Sequence, residues 1–511
     1  MTELEKTIFD FDAAGDFQGL QTFYLANEAP PQDFINIIWA LLNQSRFRSA
    51  YLLGKLMYLR GIIGPIISLA IYCGAVDVGN QEDAELGKEQ LRRLFEGTTP
   101  EKQDLIQQTL EPFFMNELSI AMTEPDITPR MMRILNVCRE VSPIFRSMFD
   151  LSTVLPALDI EEQRATGRSK ARLIPLASPP AGKHVRRKAV VAVRDLFFPQ
   201  FNNSRRFEMG PAIVNAMRAY NWDADFLGMD FNGREENDCR RIVEACVGRG
   251  INVIVLDAVI LHFPECIQMI AEMRRAAPDL KIIGIYFDAW PVKAKQLKES
   301  SLLLDLIWTL SPDLEAWQQP EFNGKLFFAP FPRGGDFGGP ILPLLPKATF
   351  IGGVAGYNWH RALWIAAMRT EQMPVESRMT EFKTDGLSAM ESYVLYMRRF
   401  ADSRCSLNFS MRSNMTFIVT GRSFDIPAVG SLLVHERCAE LDCYFIEGEH
   451  YLPFTTFAEL RQALKFIQER PAEAEDIRRR GNAFFRERYL DDKLIGYMDQ
   501  ALYHGPAASV T

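Results

Sequence analysis

The stretch TGRSFDIPAVG at residues 420–430 lies between two short apolar runs, SLNF at 406–409 and SLLV at 431–434. Each run is typical of a buried strand, and Thr420 and Gly430 are typical boundaries of a short helix. A strand, a helix and a second strand in this order predict one unit of a doubly wound parallel sheet. Because the first backbone amides of a helix lack internal partners, the carboxyl edge of this sheet favours an anion.

Two charged side chains stand within this predicted helix. Arg422 carries a planar, permanently charged guanidinium whose geometry suits a diphosphate. Asp425 follows it, and its carboxylate could accept both hydroxyls of a ribose. Together with the backbone after Thr420, these side chains predict a nucleotide site. The alternative is an ordinary strand–helix–strand unit in which Arg422 and Asp425 form an ion pair.

The spacing of this stretch matches a family pattern. Arg422, Phe424, Pro427, Ala428 and Gly430 fit the signature RxFExPAxG. The block resembles the nucleotide-sugar half of GT-B glycosyltransferases, most closely their bacterial spore-maturation-protein-like branch. The resemblance implies an α/β fold of two doubly wound Rossmann-like domains, the second of which binds the donor.

The resemblance also implies roles for single residues. Asp425 stands where the branch has a ribose-binding glutamate, and its side chain is shorter by about one methylene. Further matches are Gly448, Glu449, Phe454 and a helix beginning at Thr456. The donor-binding residues implied in this way are Gly352, Gly353, Arg361, Thr420, Gly421, Arg422, Asp425 and Glu449, and Arg422 would also stabilise the departing diphosphate.

Upstream, continuous apolar runs alternate with amphipathic segments from Lys188 to about Pro330. This pattern predicts a first doubly wound parallel sheet, with its ligand crevice at the carboxyl ends of the strands. Asp195, Asp257 and Asp288 stand at those ends, where a carboxylate could accept a proton from an acceptor hydroxyl. Asp288 is the preferred catalytic candidate, because the resembling family has an Asp near a Pro at this place. The alternative is that each Asp caps the next helix.

The first 150 residues have a different pattern of apolar positions. Their apolar positions recur at helical spacing between Gly and Pro turn signals, which predicts an all-helical domain. Short helices joined by tight turns favour hairpins of the tetratricopeptide (TPR) kind, although the consensus of about 34 residues is not visible. An irregular helical bundle is the alternative. We expect this domain to recruit an acceptor or to hold an oligomer together.

Two breaks separate the predicted domains. Residues 151–187 are rich in basic side chains and include Pro and Gly, as in a solvated linker. Prolines within 340–346 indicate a hinge. The predicted organisation is therefore an all-helical, TPR-like domain at 1–150, a linker at 151–187, an acceptor domain at 188–340 and a nucleotide-sugar domain at 347–511.

Composition limits the classes of partner. At 511 residues and 47% hydrophobic content, the chain can form two to four domains. A net charge of -8 argues against nucleic acid. The eight cysteines lack CxxC pairs, which fits free thiols in a reducing cytoplasm. The apolar run at 61–76 contains Pro65 and is shorter than the roughly 20 residues that span a bilayer, so it predicts a buried helix.

Other sites have weaker signals. His435, Cys438, Cys443 and His450 lie close in sequence, but their spacing fits no familiar zinc site. The glycine cluster beginning at Gly352 matches the dinucleotide fingerprint only in part. The sequence contains no Walker, GxSxG or HExxH motif.

These observations predict a cytoplasmic, metal-independent glycosyltransferase that needs no cofactor besides its nucleotide-sugar donor. Bacterial relatives that join helical repeats to such a domain glycosylate proteins such as flagellin, so the resemblance implies a protein acceptor. Two other functions stay open. One is a non-catalytic interaction protein with an inert GT-B scaffold, and the other is a GT-B nucleotide-sugar epimerase.

Overall fold

An N-terminal group of helices and two parallel sheets with flanking helices follow one another along the chain. The computed structural model describes residues 2–96, 113, 128–141, 143–177, 185–194, 209–229, 235–286, 298, 301–313, 315–333, 337, 344–352, 360–378, 389–411 and 417–505.

The N-terminal helices begin and end where their sequences provide caps. Thr2 and Glu5 form a capping box at the first helix. Pro31 and Pro65 occupy first helical positions, where the missing amide costs nothing. Gly79 ends a helix in the left-handed conformation, with φ of 75°. The helices are α1 (Glu3–Ala14), α2 (Phe17–Ala26), α3 (Pro31–Asn43), α4 (Phe47–Leu59), α5 (Pro65–Val78), α6 (Gln81–Glu96), α7 (Thr128–Val141), α8 (Pro143–Met148) and α9 (Ile160–Lys170).

Two helix pairs in this region are evenly spaced. Pro31 and Pro65 begin α3 and α5, which are 34 positions apart, and Phe47 and Gln81 begin α4 and α6 at the same interval. A TPR unit has about this length. The spacing agrees with the TPR interpretation, which stays a prediction. As predicted for the run at 61–76, α5 is largely buried.

The first sheet is parallel throughout, with the strand order β2-β1-β3-β4-β5-β6. Its central strands are apolar on both faces because helices cover both sides. Its elements are β1 (Lys188–Arg194), α10 (Met209–Ala219), β2 (Asp223–Met229), α11 (Glu235–Cys246), β3 (Val253–Asp257), α12 (Pro264–Ala276), β4 (Lys281–Tyr286), β5 (Leu306–Thr309) and β6 (Leu326–Phe328).

The second sheet is also parallel, in the order β11-β10-β9-β7-β8. The chain leaves β7 toward β8 on one side and later returns to β9 on the other. The winding direction therefore reverses between β7 and β9, which is where open α/β sheets bind ligands. The elements are β7 (Leu345–Ile351), α13 (Arg361–Thr370), β8 (Val375–Arg378), α14 (Ala389–Ala401), β9 (Ser403–Asn408), α15 (Arg422–Ala428), β10 (Leu432–Glu436), β11 (Leu452–Phe454), α16 (Phe457–Glu469), α17 (Pro471–Arg488) and α18 (Asp491–His504).

The N-terminal helices pack against the second sheet domain. The ring of Phe149 meets Trp364 of α13 edge-on, with centroids 4.7 Å apart. Arg461 of α16 donates to the carbonyl of Leu151 at 3.3 Å. Apolar residues of both regions belong to one continuous core. The helical region is thus docked on the predicted nucleotide-sugar domain.

The stretch predicted as a solvated linker contains the helix α9. Its basic side chains pair with acidic residues further along the chain. Arg164 lies 3.0 Å from Asp476 of α17, and Arg172 lies 2.7 Å from Asp313, which follows β5. In the described part of 151–187, the segment is therefore partly helical and attached, because its positive charges face complementary carboxylates.

The C-terminal helix of the described residues packs against the first sheet domain. Helix α18 packs against α10. Arg187, just before β1, donates from Nε to Oδ1 of Asp499 at 2.7 Å, and its guanidinium stacks on Tyr503.

The predicted fold class is confirmed in its architecture: an all-helical region precedes two doubly wound parallel sheets. Within the described residues, no helix combines the length and apolarity needed to cross a bilayer.

Candidate functional site

Arg422 lies across the carboxyl ends of β7 and β9, at the point where the winding of the second sheet reverses. Its Nη1 donates to the carbonyl of Ile351, the last residue of β7, at 2.9 Å. Its Nε donates to Oδ1 of Asn408, the last residue of β9, at 3.0 Å. The side chain is half-buried and lies over the ring of Phe350. This places a permanent positive charge in the crevice where a doubly wound sheet binds its ligand.

Gly352 makes room for this guanidinium. A Cβ at residue 352 would lie 2.1 Å from Nη1 of Arg422 and 3.0 Å from its Cζ. Any larger residue would displace the guanidinium. Gly352 and Arg422, each named from the sequence as a donor-binding residue, thus pack directly against each other.

Behind Arg422 lies a buried polar network. The side-chain amide of Asn408 lies within 3.1 Å of Thr420 Oγ1, 3.0 Å of Ser423 Oγ and 2.9 Å of His435 Nε2. The Ser423 hydroxyl also lies 2.8 Å from His435 Nε2. Asn408, Ser423 and His435 are all fully buried. Burial lowers the pKa of His435 to about 4, so its ring is neutral at physiological pH.

Asp425 is held by a residue of the first sheet domain. Arg333, five residues after β6, places Nε 2.7 Å from Oδ1 of Asp425, and Tyr396 donates its hydroxyl to Oδ2 at 3.0 Å. Both partners of the ion pair are buried. Burial raises the pKa of Asp425 above its ordinary value, and the positive charge of Arg333 opposes that change. A carboxylate has about four acceptor positions, and these two contacts occupy two of them.

The amides of α15 are less available than the sequence suggests. This helix has seven residues, and the amides of Ser423 and Phe424 already donate to the carbonyls of Thr420 and Gly421, at 3.0 and 2.9 Å. The Gly421 carbonyl also accepts from Nη2 of Arg333 at 2.9 Å. The expectation that the first amides lack partners is wrong for residues 423–425, because the tight first turn uses them. The charge that faces the crevice comes instead from Arg422.

Arg361 is the first residue of α13 and is buried. Its positive charge lies close enough to Glu436 to oppose a rise in the pKa of that carboxyl. Glu436 ends β10, and its Oε2 accepts from the amides of Ser410 and Met411 at 2.7 and 2.8 Å. Burial nevertheless raises the pKa of Glu436 to about 6. Arg361 and Glu436 thus brace the segment that follows β9.

Glu449 lies on another side of the domain. Its carboxylate pairs with Arg168 of α9, and the turn that contains Glu449 packs closely against that helix. A Cβ at Gly167 would lie 2.1 Å from the carbonyl of Glu447, and one at Gly448 would lie 2.8 Å from the amide of Arg164. The structure therefore brings Glu449 together with the N-terminal region rather than with the Arg422 network.

The second sheet domain matches a known family. Residues 358–495 match the family model described as glycosyl transferase-like. The chain therefore carries a glycosyl transferase-like domain, and that range includes Arg361, Arg422, Asp425 and Glu449. A comparison with curated proteins gives no match.

Several solved structures are similar to this chain at low identity. HepE of Anabaena, in complex with UDP and glucose, has a TM-score of 0.41 and 10% identity over 62% of this chain and 100% of its own. Sucrose-phosphate synthase of Thermosynechococcus elongatus has a TM-score of 0.43 and 11% identity over 63% and 98%. A glycosyltransferase of Rickettsia africae has 0.41 and 7% over 62% and 98%. These similarities concern the fold alone.

A buried carboxylate joins the glycosyl transferase-like domain to the first sheet. Glu440 accepts from Ser311 Oγ at 3.3 Å and from the amide of Val419 at 3.2 Å. Nearby, the hydroxyl of Tyr444 donates to the carbonyl of Leu310 at 2.8 Å. Burial raises the pKa of Glu440 to about 7. The carboxyl end of β5 therefore meets the second domain through a group that titrates near neutral pH.

Three predicted residues lie outside the described residues: Asp195, Asp288 and Gly353. Asp257 ends β3, at the carboxyl edge of the first sheet. In the described part of the chain, no group of three His, Cys, Asp or Glu side chains is arranged to hold a metal ion.

Sequence reasoning missed Asn408 and Arg333. Asn408 is a polar residue within the run at 406–409, and a polar side chain near the end of a strand at a switch point is a signal that could have indicated it. Arg333 follows the prolines at 330 and 332, and its contacts are 88 and 92 positions away in sequence, so no local pattern indicates them.

Proposed function

We propose that this protein is a glycosyltransferase that moves a sugar from a nucleotide-sugar donor to an acceptor. The observation that carries the proposal is the position of Arg422, across the carboxyl ends of β7 and β9 in the glycosyl transferase-like domain. A guanidinium there faces the place where a doubly wound sheet takes a phosphate ligand. As the bond between sugar and phosphate breaks, charge accumulates on the diphosphate, and Arg422 stabilises it.

The other donor contacts follow from this placement. Gly352 and Gly353 let the backbone approach the diphosphate. Thr420 and Gly421 form the turn that places Arg422 at the crevice. Asp425 binds the ribose through acceptor positions that Arg333 and Tyr396 leave over. Arg361 and Glu449 do not contact the donor themselves. Arg361 supports Glu436, and Glu449 anchors α9.

The acceptor binds at the carboxyl edge of the first sheet, and Asp288, two positions after β4 in the sequence, accepts the proton of its hydroxyl. Transfer needs no metal ion, because no Asp-x-Asp pair stands near the proposed phosphate site and Arg422 supplies the positive charge. The helical region, docked on the donor domain, presents a protein acceptor such as flagellin or holds an oligomer together. This activity would be exerted in the cytoplasm.

The test is the release of nucleoside diphosphate by the full chain from UDP-, GDP-, ADP- and dTDP-sugars. We expect slow donor hydrolysis with at least one of them, unchanged by a chelator and lost in Arg422→Ala. Loss of activity in the chelator that manganese or magnesium restores would contradict metal independence. Conversion of the donor into its isomer without release of diphosphate would identify an epimerase. No release from any donor, with no binding of any nucleoside diphosphate, would indicate an inert scaffold.

A further inference from the structure

Asn408 connects Arg422 to a buried histidine. Its Oδ1 accepts from Arg422 Nε at 3.0 Å, and its Nδ2 lies 2.9 Å from His435 Nε2. The residue is fully buried at the end of β9. Both ends of its amide are therefore engaged, one by the guanidinium and the other by the network behind it.

The hydrogen-bond partners at the two ends of this amide agree on which way it points. His435 Nδ1 lies 2.5 Å from the carbonyl of Glu436, which can only accept, so Nδ1 carries the proton. The ring is neutral, because burial lowers its pKa to about 4. Its Nε2 is therefore an acceptor, and the NH₂ of Asn408 and the hydroxyl of Ser423 both lie within donor distance of it, at 2.9 and 2.8 Å. Because Arg422 Nε can only donate, Oδ1 of Asn408 faces the guanidinium and its NH₂ faces His435.

We propose that Asn408 is a positioning residue for Arg422, with its NH₂ held by the buried network of Thr420, Ser423 and His435. This inference rests on the proposed function, since it concerns the side chain that meets the donor diphosphate. Arginine has many rotamers, and holding the guanidinium at Nε by Asn408 and at Nη1 by Ile351 removes much of the entropy cost of ordering it on binding. The planar fork then presents one orientation to the diphosphate.

The proposal predicts a selective loss. In Asn408→Ala, affinity for a nucleoside diphosphate should fall about tenfold, as for the loss of a hydrogen bond to a charged group. Affinity for the matching nucleoside, which has no phosphate, should change less than about twofold. A purely structural role would weaken both ligands alike, so the ratio of the two affinities separates the explanations.

Ser423→Ala is the matched control. The Ser423 hydroxyl contacts the same Asn408 and His435, at 3.0 and 2.8 Å. Its removal disturbs the same network without removing the acceptor of Arg422 Nε. We expect Ser423→Ala to leave the ratio of affinities unchanged. A diphosphate-specific loss equal to that of Asn408→Ala would overturn the proposal, because disturbance of the network alone would then explain it.

The experiment is calorimetric titration of UDP, GDP, ADP, CDP and dTDP onto the full chain, continued with the tightest of them and its nucleoside. The decisive step is a double-mutant cycle: in an Arg422→Ala background, Asn408→Ala should cause no further loss of diphosphate affinity. Should Asn408→Ala fail to fold, Asn408→Ser keeps a hydroxyl for the network but is too short to reach the guanidinium, and the same cycle applies.

Besides the Ser423→Ala outcome, two further results would overturn the proposal while leaving the proposed function intact. One is wild-type diphosphate affinity in a folded Asn408 variant, and the other is additive losses in the cycle. Absence of binding of every nucleoside diphosphate to the wild-type chain would instead refute the proposed function, and the role of Asn408 with it.

Discussion

The two sheets of this protein are wound in the same order, but their carboxyl ends serve different contacts. In the second sheet, Asn408 ends β9 and holds the half-buried Arg422 at the switch point. In the first sheet, the segments after β5 and β6 lead to Ser311 and Arg333, which contact the second domain. A shared topology therefore gives two crevices, and the residues at and after the strand ends decide which one holds a positive charge at its switch point.

A side chain of the first sheet domain also reaches the second crevice. Arg333 comes from the first sheet domain and contacts Asp425, the Gly421 carbonyl and, through its own amide, Asp491. The candidate ribose-binding residue is thus held by the other domain. Changes at the second crevice should affect the nucleotide directly, whereas changes at the domain contact should affect stability and the arrangement of the domains.

The largest effect is expected at Arg422. Arg422→Ala should lower turnover on the order of 10²–10³, because the lost group stabilises charge that develops in the transition state. Arg422→Lys should recover little, since a point charge cannot replace the fork at Ile351 and Asn408. Steady-state kinetics with the active donor measures both. Arg479→Ala, on an exposed side chain of α17, is the control and should be neutral. Full turnover in the lysine variant would show that the fork geometry is unimportant.

Asp425→Ala should have the next largest effect. If Asp425 contacts the ribose equally in the ground and transition states, its loss weakens donor binding by about one to two decades and changes turnover less. Calorimetric titration of the nucleoside diphosphate measures this. The variant also leaves Arg333 buried without its carboxylate, so denaturant unfolding is measured in parallel. Unchanged affinity and turnover would place the ribose site elsewhere and favour the inert scaffold.

Gly352→Ala should weaken diphosphate binding by about tenfold, the scale of one hydrogen bond to a charged group. The new Cβ would meet the far end of Arg422, so the guanidinium should move while the backbone stays in place. Titration of diphosphate and nucleoside should therefore show loss for the diphosphate alone. Gly64→Ala is the control, because a Cβ there meets no atom within 4 Å. Equal losses for both ligands would mean that the crevice itself had distorted.

The smallest effect concerns pH at the domain contact. Because burial raises the pKa of Glu440 to about 7, the folded protein binds a proton there that the unfolded chain releases near pH 4.5. The stabilisation that the protonated Glu440 contributes is complete below pH 4.5 and is lost as the pH rises through 7. Between pH 6.5 and 8, the free energy of unfolding should fall by about 1 kcal/mol from this group.

Glu440→Gln should remove that slope, as measured by denaturant unfolding across the same pH range. Glu469→Gln, on a mostly exposed side chain, should keep it. His435 does not mask the effect: its pKa is lowered to about 4, so its contribution is lost only as the pH falls below 6.5. An identical slope in Glu440→Gln would show that this carboxyl does not titrate across the domain contact.

Much of the fold could be predicted from the sequence. The apolar runs at 189–193, 281–287 and 306–309 became central strands, because buried parallel strands are apolar on both faces. The linker prediction was less successful, because the pairing of Arg164 and Arg172 with distant carboxylates has no local signal.

The candidate site was predictable only in part. The motif contains Arg422 and the glycine cluster contains Gly352, and these two residues pack against each other in the structure. It could not show that Arg333 would reach Asp425, or that Glu449 would face α9, since both contacts depend on how separate parts of the chain pack. Local patterns indicate strand ends and charged residues, whereas tertiary packing decides which of them meet.

The most direct test of the central claim is amide hydrogen exchange of the full chain with and without its tightest nucleoside diphosphate. If the nucleotide binds at the switch point of the second sheet, exchange should slow at 345–352, 403–411 and 417–430. Exchange at 223–229 and 253–257, in the first sheet, should not change. Protection confined to the first sheet would contradict the assignment of the nucleotide site to Arg422.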